Sequence, residues 1–245
     1  MDRNRGQLKK PLQLSAHCRI QTTQVEVKAV KQALEHGRVT GAHVWICHVS
    51  CPETVELCND AKDRGQKVTV ELAPQYLYLS NGLASNPLYG ARVKVNPSLR
   101  THEQMTQMRV YLSRPGYFDV VGDDHAPHLL SEKHERAYDR RPSGMPGLQT
   151  TFALMANPIL AEMFTVERFV ELTSGNAAEL LGLKTKGKVV MGADADLVLA
   201  DFSEQWHIKD RDIVSKCAWT PYREWSVRGV IHYTIVGGKV HKFGQ

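Results

Sequence analysis

The stretch HVWICHVSCPETVELCNDAKDRGQKVTVEL, residues 43–72, decides the fold. Its first part is an apolar run typical of a buried strand. The next segment has Pro52 at a helix start and Gly65 at its end, and KVTVEL then follows as a second strand. Strands separated by a helix of about a dozen residues form the βα units of a parallel sheet. The sequence therefore predicts an α/β fold.

The same alternation of strands and helices extends in both directions from this stretch. Upstream, the apolar stretch PLQLSAH predicts a strand that ends in His17, and helical spacing of apolar residues predicts a helix over residues 25–37. Downstream, strands are expected over residues 91–96 and 117–124, with a helix over residues 101–114 between them.

The pattern changes after Phe164. Residues 165–183 predict one or two helices, and the remainder supplies short strands separated by Gly and Asp turns. We place a domain boundary near residue 184, which leaves residues 1–184 as the α/β part and residues 185–245 as a small β module.

Composition restricts the classes of protein that the chain can belong to. It has 245 residues, of which 42% are hydrophobic and 23% charged, as expected for a soluble globular protein. Its five cysteines lack framework spacing, which favours a reducing, cytoplasmic compartment. No apolar run approaches the roughly 20 residues of a membrane span, and basic residues are scattered rather than interleaved with aromatics. We therefore expect neither a membrane nor a nucleic-acid partner.

Three predicted strands end in a residue that can bind a metal: His17, His48 and Asp124. In parallel α/β folds, functional side chains gather at the carboxyl ends of strands. Imidazole and carboxylate groups suit zinc, and a catalytic zinc takes about three protein ligands. The alternative is that His48 is a core histidine and Asp124 a helix cap.

Several motifs resemble those of one enzyme family. The segments VKVNPSLR (residues 93–100), DDHAPH (residues 123–128), PSGMPGLQT (residues 142–150) and KGKVVMGADADLVLAD (residues 186–201) resemble dihydroorotases, of the cyclic amidohydrolase branch of the amidohydrolase superfamily. The resemblance covers about residues 25–244 and implies the carboxyl-terminal half of a metal-dependent hydrolase. The implied fold is a partial TIM (β/α)8 barrel over residues 1–184, with strands of a small β-sandwich over residues 185–245.

The resemblance also assigns roles to individual residues. It implies that His17, His48 and Asp124 bind metal and that Asp124 takes the proton of the attacking water. Five further residues match positions around the substrate pocket: Asn96, Arg100, His128, Gly144 and Gly147. The alternative for Arg100 is that it caps a loop or pairs with Glu103.

The chain departs from the family pattern at the other metal ligands. No two histidines are two positions apart, so the family's H-x-H pair is missing, and the metal-bridging lysine also has no match. Gln75 stands where dihydroorotases have a histidine. We therefore expect one or two zinc ions to be held weakly, activity to be impaired in the chain alone, and association with a second copy or a companion chain.

These observations leave three hypotheses about function. The first is a zinc-dependent hydrolase that interconverts N-carbamoyl-L-aspartate and L-dihydroorotate in pyrimidine biosynthesis. The second is a non-catalytic homologue that acts as an assembly partner. The third is an amidohydrolase of the allantoinase or dihydropyrimidinase type that acts on another small cyclic amide.

Overall fold

The computed structural model consists of two compact units, each discontinuous in sequence. The first comprises Met1–Gln149 and Lys209–Arg223, and the second Thr150–Ile208 and Glu224–Gln245. Because neither unit is one continuous segment, they do not test a boundary near residue 184, which stays a prediction. The structure describes residues 1–8, 13–135, 137–160 and 162–242.

The first unit contains a three-stranded parallel sheet. Its strands are β1 (Val44–Val49), β2 (Val68–Leu72) and β3 (Val120–Val121), in the order β1-β2-β3. Strand β2 is central, and four of its five residues are buried, as expected for a parallel strand covered on both faces. The predicted α/β class with a parallel sheet is confirmed. The strand predicted over residues 117–124 is real but much shorter.

The helices of this unit follow signals that are readable in the sequence. Pro52 lies in the first turn of its helix, and Thr101 begins another with a capping box completed by Gln104. The helices predicted over residues 25–37 and 101–114 are both present. In chain order the helices are α1 (Asp2–Gly6), α2 (His17–Ile20), α3 (Thr23–Thr40), α4 (Pro52–Asp63), α5 (Gln75–Tyr78), α6 (His102–Leu112) and α7 (Leu130–Lys133).

Two predicted strands of the first unit are wrong. Leu14–Ala16 forms a 3₁₀ turn that leads into α2, so His17 begins a helix and does not end a strand; residues 11 and 12 lie outside the described residues. Gly90–Val93 is also a 3₁₀ turn. Beyond it, the carbonyl of Lys94 accepts the Gly144 N–H at 2.9 Å, so a loop takes the place that a neighbouring strand would occupy.

The second unit combines short helices with an antiparallel sheet. The strands expected in the carboxyl-terminal part are present in the order β4-β5-β6, whereas a partial barrel and a sandwich stay predictions. Within the described residues, no helix is both long and apolar enough to cross a membrane. The elements are α8 (Leu148–Leu160), α9 (Val166–Val170), a π turn (Glu171–Gly175), α10 (Asn176–Leu180), β4 (Leu197–His207), β5 (Ser226–Val236) and β6 (Lys239–Lys242).

Candidate active site

Two of the predicted metal ligands lie at the carboxyl edge of the parallel sheet in strained backbone conformations. His48 is near the end of β1 with φ +39°, and Asp124 follows β3 with φ +46°. Five described non-glycine residues have positive φ, and these are two of them. Such conformations cost about 1–3 kcal/mol each and cluster at functional sites.

His48 lies in a β-bulge and presents an unpaired ring nitrogen. The register runs from Ile46 opposite Val70 to Val49 opposite Leu72, so Cys47 and His48 together face one residue of β2. The Nδ1 atom of His48 is buried and has no hydrogen-bond partner among the described residues. A buried polar atom without a partner is costly, and a bound cation would satisfy it.

Asp124 is a half-buried carboxylate that Gln75 holds by a hydrogen bond. Its Oδ2 accepts a hydrogen bond from Nε2 of Gln75 at 3.1 Å. Burial raises the pKa of Asp124, the charges of Glu71 and Asp123 raise it further, and the nearby His48 opposes them. A carboxylate with a raised pKa is a better proton acceptor and is stabilised by a neighbouring cation.

His17 does not join these two residues. Its Nδ1 is 2.7 Å from the Tyr138 hydroxyl and its Nε2 is 2.9 Å from the carbonyl oxygen of Val95, so protein groups engage both ring nitrogens. The pKa of His17 is lowered, mainly by burial and also by the charge of Lys94. The lowered pKa favours a neutral ring. These contacts pack His17 against Tyr138 and Val95. They do not support a role for His17 as a metal ligand, which stays a prediction.

Among the described residues, one group of three potential ligands converges within 4.8 Å, and it lies in the antiparallel sheet: Asp201, Glu204 and His232. Asp201 is exposed, Glu204 and His232 are half-buried, and His232 already pairs with Glu204 at 3.3 Å. His48 and Asp124 supply an imidazole and a carboxylate, which is the donor chemistry of zinc sites, but only two of the about three ligands of a catalytic zinc. They fit such an ion as part of its coordination shell.

Arg100 is engaged inside the protein. Its guanidinium pairs with Glu26 at 2.8 Å, and the side chains are only 5% and 10% exposed. It also donates to the Ser50 hydroxyl at 2.8 Å, the Gln21 carbonyl at 2.6 Å and the Ser98 hydroxyl at 3.2 Å. The partner is therefore Glu26 and not Glu103, and binding a substrate carboxylate would require Arg100 to leave a buried ion pair.

The two glycines predicted near the substrate allow close backbone approach. A Cβ on Gly144 would lie 2.5 Å from the Ala126 carbonyl oxygen, and one on Gly147 would lie 2.2 Å from that of Asp123. Their N–H groups bond to the Lys94 carbonyl at 2.9 Å and to Nδ1 of His125 at 3.2 Å, respectively. The glycines thus hold residues 144–147 against the loop that carries Asp124.

The remaining predicted substrate residues are more accessible. Asn96 is exposed, and its Oδ1 accepts from Gln21 at 2.6 Å. His128 is half-buried with Nδ1 3.8 Å from Glu132, and its backbone carbonyl accepts from Trp219 at 2.7 Å. The structure places Asn96 and His128 in the same unit as Asp124, and their contact with a substrate stays a prediction.

Sequence reasoning missed two charged residues of this region. Glu71, in the motif VELAPQYL, places its carboxylate beside His48 and Asp124, and the signal for it was a charge within a buried strand. Lys133 is fully buried. Its ammonium donates to the carbonyls of Lys94, Pro142 and Gly144 at 2.9, 3.1 and 2.7 Å. The motif SEK gives no local sign of that burial, because it contains no apolar residue.

A parallel α/β unit with an imidazole and a carboxylate at its strand ends is typical of metal-dependent hydrolases. The chain belongs to the amidohydrolase family, whose model matches residues 9–241. The resemblance to dihydroorotases seen in the motifs is confirmed by relatives of that name.

The dihydroorotase of Halobacterium salinarum is 36% identical over 201 residues, which are 82% of this chain and 46% of that protein. The dihydroorotase of Methanosphaera stadtmanae is 30% identical over 215 residues, or 88% of this chain and 48% of that protein. Among solved structures, L-hydantoinase (dihydropyrimidinase) from Arthrobacter aurescens matches with a TM-score of 0.89 at 28% identity. The match covers 98% of this chain and 53% of the hydantoinase chain. The chain thus spans about half the length of the relatives that it matches.

Proposed function

We propose that this chain supplies the carboxyl-terminal half of a zinc-dependent cyclic amide hydrolase of the dihydroorotase type. The reaction is the interconversion of L-dihydroorotate and N-carbamoyl-L-aspartate, a step of pyrimidine biosynthesis. The observation that carries the proposal is the pair His48 and Asp124. Both lie at the carboxyl edge of the sheet with positive φ, and Nδ1 of His48 is buried and has no hydrogen-bond partner in the part of the chain that the structure describes. In this proposal the first unit is part of a (β/α)8 barrel and the antiparallel sheet part of a β-sandwich.

The residues of this chain would hold the ion and move the proton. His48 and Asp124 would bind zinc, which when bound lowers the pKa of water and polarises a carbonyl oxygen. Asp124, whose pKa burial raises, accepts the proton of the attacking water and passes it to the amide nitrogen as the ring C–N bond breaks. Gln75 holds the carboxylate of Asp124 in place through its 3.1 Å hydrogen bond to Oδ2.

The proposal includes a partner, because His48 and Asp124 are two ligands where a catalytic zinc takes about three. The further ligands would come from a second copy or a companion chain that completes the barrel. Among the described residues, β1 and β3 are the edge strands of the sheet, which favours such association because unpaired strand edges are templates for pairing. All five cysteines, each within the described residues, have free thiols, which supports a cytoplasmic location for the reaction.

A second candidate is an amidohydrolase that acts on an uncharged ring, of the dihydropyrimidinase or allantoinase type. The observation that favours it concerns Arg100. Its guanidinium group already bonds to Glu26 and to two hydroxyl groups, so it is not available to bind a substrate carboxylate. L-dihydroorotate carries such a carboxylate, whereas a dihydropyrimidine or a hydantoin does not. A non-catalytic role as an assembly partner is the third candidate.

One experiment separates these candidates. The full chain, alone and together with a companion amino-terminal half of a dihydroorotase, is assayed with zinc on L-dihydroorotate, dihydrouracil and allantoin. Turnover of L-dihydroorotate supports the proposal, and turnover confined to the uncharged rings supports the second candidate. Stable binding to the companion without turnover of any of these substrates supports the third candidate, a non-catalytic assembly partner.

Variants of the two neighbouring aspartates test the proton transfer. Asp124→Asn removes the proton acceptor and is expected to lower turnover by at least about 10²-fold, the lower range for general acid–base catalysis. Asp123→Asn is the matched control, because Oδ1 of Asp123 accepts the His125 backbone N–H at 2.9 Å and so ties the turn. A larger loss for Asp123→Asn would refute the assignment of Asp124.

A further inference from the structure

Glu71 occupies the point where all three parallel strands end. It is the fourth residue of β2, half-buried, and faces the bulge of β1 that contains His48. One carboxylate oxygen, Oε1, accepts the His48 backbone N–H at 3.2 Å. The other, Oε2, accepts from the indole Nε1 of Trp45 at 3.0 Å. The side chain thus bridges two residues of the neighbouring strand.

The bond to His48 replaces one that the bulge disrupts. In a regular ladder, the backbone N–H of a strand residue donates to a carbonyl of the neighbouring strand, and a bulge leaves an extra residue without that partner. Here the carboxylate of Glu71 takes the N–H of His48. Because His48 has φ +39°, a conformation that persists only where its surroundings fix it, this bond sets the direction in which the ring leaves the strand.

The strand on the other side leaves room for the carboxylate. A Cβ at Gly122, directly after β3, would lie 2.5 Å from Oε1 and 2.7 Å from Cδ of Glu71. Any larger residue at position 122 would therefore displace the carboxylate from its place. The end of a Glu side chain can move, so such a change would shift the carboxylate without breaking the sheet.

The geometry points to Glu71 as a positioning residue for the zinc-binding pair: through the His48 backbone and Trp45 it holds the His48 ring toward Asp124. The metal part of this inference rests on the proposed function. The positioning of His48 itself does not depend on it, because it follows from the hydrogen bonds of Glu71 and the space at Gly122.

The test compares Glu71→Ala and Glu71→Gln in the full, isotope-labelled chain, with exposed Glu103→Ala as the matched control. The first readout is the strong intraresidue HN–Hα NOE of His48, which marks positive φ. The second is the dissociation constant of zinc, measured by calorimetric titration with the metal alone. Partners behind a metal ligand contribute about 10–100-fold in metal affinity.

Glu71→Ala is expected to abolish the positive-φ signal of His48 and to weaken zinc binding by at least about 10-fold. Glu71→Gln keeps a side-chain oxygen for the His48 N–H, so it should retain the signal and most of the affinity. Gly122→Ala should weaken zinc binding although Glu71 is present. Glu103→Ala should change neither readout.

Retention of the His48 signal in Glu71→Ala would overturn the inference. Loss of the signal with unchanged zinc affinity would overturn it too, since the orientation would then have no effect on the metal. If the wild-type chain binds no zinc and Glu71→Ala still removes the signal, the positioning of His48 by Glu71 is upheld. That result would instead count against the zinc site of the proposed function.

Discussion

Lys133 should make the stability of this protein depend on pH in an unusual direction. Its side chain is completely buried, and its ammonium donates to three backbone carbonyls, of which Gly144 is the nearest at 2.7 Å. The indole of Trp219 lies 5.9 Å away, and the charged group that acts on it is another cation, Lys94. Burial, and then Lys94, lower the pKa of Lys133 from its ordinary value of 10.5 to about 7.

The sign follows from the protons that each state binds. Between pH 7 and 10.5 the unfolded chain carries a proton on Lys133 and the folded chain does not, so the free energy of unfolding rises with pH across this window. Each pKa unit corresponds to about 1.36 kcal/mol, which gives a rise of about 3 kcal/mol from pH 7 to pH 9. The three carbonyl acceptors favour the ammonium form, so this value is an upper limit.

The assay is urea unfolding of wild type and Lys133→Met at pH 6, 7.5 and 9. Lys133→Met should be less stable than wild type, since carbonyls lose their donor, and the gap should widen toward pH 9 by up to about 3 kcal/mol. Exposed Lys31→Met is the control and should show a constant gap. Parallel pH profiles for wild type and Lys133→Met would refute the reasoning.

Two further changes test the packing around the site. Arg100→Met leaves Glu26 buried without its ion-pair partner, so we expect urea unfolding to show a free energy of unfolding lower by about 3–5 kcal/mol. Glu103→Ala changes an exposed residue and should lower it by under about 0.5 kcal/mol. Similar losses for the two variants would contradict a buried ion pair. Gly144→Ala forces a side chain into φ +130° and against the Ala126 carbonyl, so we expect it to cost at least about 1 kcal/mol, seen as a lower Tm; an unchanged Tm would contradict the close approach.

The elements that could be predicted from the sequence are those with local signals. Strands β1 and β2 and the helix between them follow from apolar runs, a proline at the helix start and a glycine after its end. The prediction of a strand over residues 91–96 was wrong, because the alternation of Val93 and Val95 indicates only that these side chains are buried. Whether a neighbouring strand lies beside such a segment depends on distant residues, and here the neighbour is the loop at Gly144.

The site shows the same limit. His48 and Asp124 could be singled out because strand ends are visible in the sequence, whereas the partner of Arg100 could not. The candidate considered for it, Glu103, is three positions away, but the actual partner, Glu26, is 74 positions away. A local sequence pattern identifies which groups can form an ion pair, and only the packing of α3 against the rest of the unit selects one of them.

The backbone at His48 and Asp124 gives an independent reason to regard them as functional. Glycine adopts positive φ without a steric penalty, whereas L-residues with a side chain pay roughly 1–2 kcal/mol there. If only the turn at each strand end mattered, glycine would serve better at both positions, as it does at Gly144 with φ +130°. The chain instead has an imidazole and a carboxylate at these positions, so the side chains must contribute something that the turns do not require. A shared bound cation at the edge of the sheet would account for both.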